Sequence, residues 1–269
     1  MTDRLLGPGD VVVLHDAAGR RYRLTLAPGA TRSTHAGELT HDSLIGQPEG
    51  TVVETSLGRP VLALRPALTE RAAGGRRRAG QLGAKDLGAV LLHADVSPGD
   101  LVVMAGAGGG LLPAVLRAVG PGGRVVAYEP RQDVLTELRA AAEEAAGRPP
   151  PNLELRAADP TGGIAERAAD RALLDLPEPW AAVPAVAAAL RPGGSVFALC
   201  PNAGQVQRFC DALREAGGFG LIETVEVLER GWTVRDRSLR PVHRMVAHTA
   251  FLTFARRLAG EEVFETDTD

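Results

Sequence analysis

The sequence predicts an α/β fold, a mostly parallel seven-stranded sheet with helices between its strands, preceded by a small β-domain. Two observations carry this. From Leu87 onward short apolar runs alternate with amphipathic stretches, the rhythm of strand–helix–strand units. Over the first 70 residues the period is instead two, broken by Gly and Pro, which is the pattern of hairpins.

In the first region, residues 11–14 and 22–26 are expected strands about the turn at 16–19, and 51–54 with 61–64 form a second pair. Residues 66–82 are polar and rich in Gly and Arg, a connector. This places a domain at 1–70, a linker at 71–86, a main domain at 87–259 and a disordered acidic tail at 260–269. In the main domain, 87–94 is an expected helix. Leu101–Ala105 is a continuous apolar strand of the kind buried on both faces. A glycine turn and a helix to Val119 follow, then a strand at Arg124–Tyr128, a helix at 131–146, and strands at Leu153–Arg156 and 171–174. Residues 180–190 are an Ala-rich helix that Pro192-Gly193-Gly194 should stop. A strand at 195–199, a helix at 205–216 and strands at 222–228 and 245–255 complete the count. The last two strands have no full helix between them, so the sheet should end antiparallel.

Bulk composition excludes several classes. The 269 residues carry a formal net charge of -3, so a nucleic-acid partner would need a local basic patch rather than an overall basic chain. Lys85 is the only lysine, and every other cation is arginine, a bias that a GC-rich genome accounts for. Cys200 and Cys210 form no metal-ligand or C-x-x-C pattern and should be free thiols. No apolar run approaches the roughly 20 residues that span a bilayer, and residues 1–10 lack a signal-peptide core. A cytoplasmic location is the expectation.

The chemistry concentrates in Gly106-Ala107-Gly108-Gly109-Gly110, between a strand and a helix. Without Cβ atoms the backbone there can approach a ligand closely, and the helix start behind it offers free N–H groups. Glu129 lies 21 residues after Gly108, at the end of the next strand, where a carboxylate can accept bonds from both hydroxyls of a ribose. Dinucleotide sites use G-x-G-x-x-G, but the third glycine position here holds Leu111. That change and the antiparallel end point to S-adenosylmethionine instead. The expected cofactor contacts are Gly106, Ala107, Gly108, Gly110, Leu111, Glu129, Pro130, Asp159 and Asp175. Asp159 suits an adenine N6 contact or a helix cap.

At this point the residues resemble a known family, the bacterial and archaeal tRNA (adenine-58-N1)-methyltransferases, over residues 9 to about 258. The matching motifs are Thr34-His35-Ala36-Gly37, His41-Asp42-Ser43-Leu44-Ile45-Gly46, Leu64-Arg65-Pro66, Lys85-Asp86, Ala127-Tyr128-Glu129 and Asp175-Leu176-Pro177-Glu178-Pro179-Trp180. Further matches are Pro201-Asn202 with Gln205-Val206, Trp232, Val234, Arg240-Pro241, His243-Arg244-Met245-Val246 and His248-Thr249-Ala250-Phe251-Leu252. The resemblance implies a class I S-adenosylmethionine-dependent methyltransferase with a Rossmann-like seven-stranded sheet, a small N-terminal β-domain, a tRNA substrate and a homotetramer. It implies that Gly106, Gly108 and Gly110 face the cofactor's methionine end, Glu129 holds the ribose, Asp159 the adenine, and that Asp175 is catalytic.

The chain departs from the family at three places. Met104 stands where a glutamate is usual, Gly109 where a serine is usual, and Gly83-Ala84 where Tyr-Pro precedes Lys-Asp. Those departures motivate two alternatives, a diverged enzyme that methylates a peptide or small molecule and a non-catalytic binding subunit. Trp180 suits contact with a flipped base or core packing. Arg76, Arg77 and Arg78 suit phosphate contacts or a solvated charge run. His35 and His41 are expected to pack, and His243 and His248 to make structural hydrogen bonds. No metal site is expected.

Overall fold

The computed structural model describes residues 5–73, 82–106, 110–235, 237–245 and 247–260. The chain divides into two compact units, Met1–Arg71 and Ala72–Asp269.

The first unit is β-rich. Strands β1 (Val11–Asp16), β2 (Arg21–Thr25), β3 (Thr31–Thr34), β4 (Gly37–Thr40), β5 (Val52–Glu54) and β6 (Pro60–Leu64) follow in order. Four of them form an antiparallel sheet in the order β2-β1-β6-β5, and β3 pairs with β4 as a separate hairpin. Val12, Leu14, Leu24, Val61 and Ala63 turn inward and pack with Leu6, Leu26, Leu39 and Leu44. Alternation along β1 and β6 therefore produces one buried face.

Helix α1 (Leu68–Ala73) comes next, and the second unit holds α2 (Ala84–His93), β7 (Leu101–Ala105), α3 (Leu111–Val119), β8 (Arg124–Tyr128), α4 (Gln132–Ala146), β9 (Leu153–Arg156), β10 (Ala169–Leu174), α5 (Val183–Ala189), β11 (Leu190–Cys200), α6 (Ala203–Ala216), β12 (Phe219–Val225), β13 (Trp232–Arg235), β14 (Ser238–Pro241) and β15 (Phe251–Arg257). The seven-stranded sheet runs β12-β15-β11-β10-β7-β8-β9. All neighbours are parallel except β15, which is antiparallel to both β11 and β12.

Period-two alternation splits these apolar strands between two cores. Val102, Met104, Val125, Ala127, Leu173, Phe197 and Leu199 face α2, α3 and α4. Val103, Ala105, Val126, Tyr128, Ala172, Leu174, Val196 and Ala198 face α5 and α6. A strand buried on both faces needs an apolar residue at every position, which is why β7, and β8 from Val125 on, are continuous apolar runs. The order reverses between β10 and β7. An open α/β sheet binds its ligand outside the carboxyl ends of the strands at such a reversal.

Several expectations are corrected. Part of the connector at 66–82 is helical, as α1, and the linker assigned to 71–86 ends in the first turn of α2. The Ala-rich helix is shorter than 180–190: Pro179–Ala182 is a 3-10 turn, and α5 ends at Ala189. Pro192-Gly193-Gly194 is not what stops this helix, which has already ended at Ala189; it lies inside β11, where the β10 register shifts between Ala169 and Arg171. The last strand begins at Phe251, not 245; after the β13–β14 hairpin ends at Pro241, the described residues up to Ala250 form no strand. Arg76, Arg77, Arg78, Ala107, Gly108, Gly109 and the tail from 261 lie outside the described residues. Among the described residues no helix is long and apolar enough to cross a membrane.

Candidate active site

Four of the residues singled out by sequence stand at the carboxyl ends of adjacent strands. Asp175 follows β10, Gly106 follows β7, Glu129 follows β8, and Asp159 lies three residues beyond β9. The sheet ladder continues one residue past the strand ends: Asp175 N–H donates to the Ala105 carbonyl at 2.8 Å, Gly106 N–H to that of Tyr128 at 3.1 Å, and Glu129 N–H to that of Arg156 at 3.0 Å. Three strand ends are thereby held in register at the rim. Gly106 is required by geometry. Its φ is +66°, and a Cβ built on it would lie 2.1 Å from the Asp175 carbonyl oxygen. Asp175 itself is half-buried.

Glu129 is 3% exposed. Its Oε1 accepts from the Arg131 N–H at 3.0 Å and from Arg131 Nε at 2.8 Å, and its Oε2 accepts from Arg131 Nη2 at 3.1 Å. A carboxylate buried at a strand end at this reversal fits the ribose of an adenosyl cofactor. Leu111 buries its side chain completely as the first residue of α3, so it can offer a ligand only its backbone. Gly110 is the residue that precedes α3, and Pro130 is exposed next to Glu129. Asp159 caps the short 3-10 turn at Pro160–Gly162: Oδ1 accepts from the Thr161 N–H at 2.9 Å and its hydroxyl at 2.7 Å. Those bonds, the hydroxyl's first, hold its carboxyl below the ordinary aspartate range. The capping role is thus present in the structure, and it falls on one oxygen.

The loop carrying Asp159 is tied to β8 by a buried cluster. The Tyr128 hydroxyl donates to Glu166 Oε2 at 2.5 Å and accepts from the Ala165 N–H at 2.9 Å and from Arg156 Nη1 at 2.7 Å. Arg156 Nη2 also pairs with Glu166 Oε1 at 2.7 Å. Burial, reinforced by the Glu166 bond, pushes the hydroxyl's pKa up. Tyr128→Phe is expected to lower stability by about 1–3 kcal/mol, because Glu166 and the Ala165 N–H lose a partner inside the protein. Thermal melting measures it, and an unchanged midpoint would show that the hydroxyl anchors nothing.

A second polar cluster escaped the sequence reading of the site. Lys85 is the second residue of α2 and its side chain is 6% exposed; Asp86 beside it is fully buried. Lys85 Nζ donates to Asp86 Oδ1 at 2.6 Å, to the Val227 carbonyl at 2.6 Å and to Thr249 Oγ1 at 2.8 Å. Asp86 Oδ2 accepts from Thr249 Oγ1 at 2.9 Å and from the Gly83 N–H at 3.2 Å. Three N–H bonds of one ammonium meet three acceptors, so the group is fully satisfied. The available signal was Lys85 itself, the lone lysine in a chain that otherwise uses arginine. A composition bias should have replaced it unless a compact ammonium is needed.

This cluster ties α2 to the segments after β12 and before β15. His248 adds a further tie on the same side: Nδ1 lies 2.5 Å from Glu226 Oε1 and Nε2 lies 3.2 Å from the Pro201 carbonyl. Both partners are acceptors, and the Glu226 bond, the largest cause, raises the ring's pKa. Trp180 is half-buried, with the Arg208 guanidinium 5.2 Å over its ring. Gln205 Nε2 donates to the Pro177 carbonyl at 2.9 Å, so α6 holds the loop that follows Asp175.

The departures are accommodated in different ways. Met104 is wholly buried in the core under α2, α3 and α4. Gly83 precedes α2 at φ -78°, and a Cβ there would meet only Asp86 Oδ2 at 3.4 Å, so neither backbone nor space demands glycine. His35 bonds Tyr22 in the first unit, and His41 accepts the Ala27 N–H at 3.1 Å. His243 lies 3.0 Å from Arg240 Nη1. Among the described residues no group of three or more His, Cys, Asp and Glu is placed to hold a metal.

Comparison with known proteins fits this arrangement. Residues 76–240 match the family model described as the tRNA methyltransferase complex GCD14 subunit, and residues 5–53 match a TrmI-like N-terminal model. The tRNA (adenine(58)-N(1))-methyltransferase TrmI of Thermus thermophilus is 36% identical over 252 residues, 93% of this chain and 97% of that protein. Among solved structures, one described as an S-adenosylmethionine-dependent O-methyltransferase from Thermotoga maritima superposes with a TM-score of 0.88 at 31% identity, covering 96% of each chain. The tRNA (m1A58) methyltransferase TrmI of Aquifex aeolicus gives 0.82 at 25% identity, over 96% of this chain and 100% of that one. With its sheet order, its rim of strand-end residues and these relatives, the chain belongs to the tRNA (adenine-58-N1)-methyltransferase family.

Proposed function

We propose that the protein transfers a methyl group from S-adenosylmethionine to N1 of an adenine in tRNA. The observation that carries this reading is the extended ladder at the sheet reversal, which lines up Asp175, Gly106 and Glu129 on three neighbouring strands. Glu129 would take the ribose diol, Asp159 the adenine, and the backbone of 106–111 the methionine end. When bound, the cofactor supplies a methyl carbon on a sulfonium, a good leaving group.

Adenine N1 carries its own lone pair, so the protein has no proton to remove from the attacking atom. Its work is alignment. The Asp175 carboxylate would accept from the N6 amino group, set the plane of the ring and stabilise the positive charge the ring acquires. The base must leave its stack, at a cost of a few kcal/mol. Trp180 would border it, and Arg76, Arg77 and Arg78 would hold phosphates of the RNA. A homotetramer and a cytoplasmic location accompany this reading, supported by the family resemblance, with light scattering as the check on assembly.

The test is incubation of the purified protein with an unmodified tRNA transcript and S-adenosylmethionine, followed by nucleoside mass spectrometry. The expected result is 1-methyladenosine. Cofactor binding without that product would sink the tRNA assignment and support a second reading, a diverged methyltransferase with a peptide or small-molecule acceptor. Gly83 favours that second reading, because an aromatic face for a base is worth roughly 1–3 kcal/mol. The description of the Thermotoga structure as an O-methyltransferase favours it too.

A further inference from the structure

We propose that Arg131 competes with the cofactor for Glu129, so that its guanidinium must swing away before both ribose hydroxyls can bind. The inference rests on Glu129 being the ribose carboxylate. A carboxylate offers four acceptor positions, two on each oxygen. Oε1 already takes two bonds, from the Arg131 N–H at 3.0 Å and Nε at 2.8 Å, and Oε2 takes one, from Nη2 at 3.1 Å. Among the described residues one position remains for a diol that needs two. The backbone N–H of Arg131 is fixed as the chain enters α4, so the bonds that can yield are those of the guanidinium.

The surroundings allow that movement. The Arg131 side chain is 62% exposed while that of Glu129 is 4% exposed, so the arginine can turn outward without leaving a cavity. Asp133 and Glu137, in the first turns of α4, lie within electrostatic reach of the guanidinium and give it a second site of attraction. Glu129 has no such freedom, being buried at the strand end. The arginine therefore keeps a buried carboxylate satisfied and surrenders it to the ribose, which supplies replacement donors. The affinity measured for the cofactor is the balance of the two sets of bonds.

The test uses isothermal titration of the full-length protein with S-adenosylhomocysteine, at low and high salt, for the natural chain and for Arg131→Met. The variant keeps the backbone N–H and the length of the side chain but has no guanidinium. It is expected to bind about three- to tenfold more tightly, since the competing bonds of a half-solvated guanidinium are of modest strength. Salt should tighten binding to the natural chain, because it screens the exposed arginine, and should leave the variant nearly unaffected. A melting scan with and without ligand gives an independent reading: the variant should melt lower alone, and saturating ligand should raise its midpoint by more. Equal or weaker binding by Arg131→Met, with the natural chain binding normally, overturns the competition while leaving Glu129 as the ribose site. No binding by the natural chain at any salt overturns both.

Discussion

Asp175→Ala is expected to cut methyl transfer by about 10²–10⁴-fold while leaving S-adenosylhomocysteine affinity within a few-fold of the natural protein. The asymmetry follows from position. Asp175 reaches the rim from β10, on the far side of the reversal from Glu129 and Asp159, which would hold the cofactor's ribose and adenine. Its backbone, which lies against Gly106, is retained in the variant, so Gly106 keeps its neighbour. Asp175→Asn separates the two roles of the carboxylate. The amide oxygen can still accept from the adenine amino group, but it cannot balance the charge that develops on the ring. An intermediate rate for Asn assigns part of the effect to alignment and part to charge. Rapid single-turnover measurements with saturating tRNA would check this, and full turnover by the alanine variant would remove Asp175 from the mechanism.

Lys85→Ala is expected to destabilise the protein by about 3–5 kcal/mol, because it removes the cation from a buried carboxylate. Asp86 is completely buried and, among the described residues, would retain the Thr249 hydroxyl and the Gly83 N–H. For a unit of this size the melting midpoint should fall on the order of 10 °C. Lys85→Arg should fail to restore it. The three acceptors surround a single nitrogen, whereas a guanidinium spreads its five N–H groups over a rigid plane. A melting curve for Lys85→Arg that overlays the natural one would refute this account. The outcome bears on the composition as well, since it would explain why the chain keeps one lysine among so many arginines.

The order of strands and helices in the second unit was legible because burial on both faces leaves a continuous apolar record, as in β7 and β8. Hairpins were not. β3 is Thr-Arg-Ser-Thr with three of four residues exposed, and β13 is Trp-Thr-Val-Arg with the same exposure. Neither has a buried face to impose a period, so pairing between neighbouring strands decides their conformation. The rim residues Asp175, Gly106 and Glu129 were legible through their places after strands. Their neighbours were harder to read. Lys85 finds partners 142 and 164 residues away, which no local pattern announces. Arg131 bonds a residue only two positions before it, and that contact exists because the chain turns sharply between β8 and α4.

The placement of β15 bears on how the protein is made. This strand comes last in the chain among the seven, yet it lies inside the sheet, between β11 and β12. During synthesis β12 emerges with nothing to pair with, and β11 waits with one edge bare. The first unit can assemble as soon as residues 11–64 have left the ribosome, while the larger sheet cannot close until residue 257 has. A premature stop anywhere between residues 225 and 251 would therefore cost the sheet two strands rather than one, and leave an exposed edge open to aggregation.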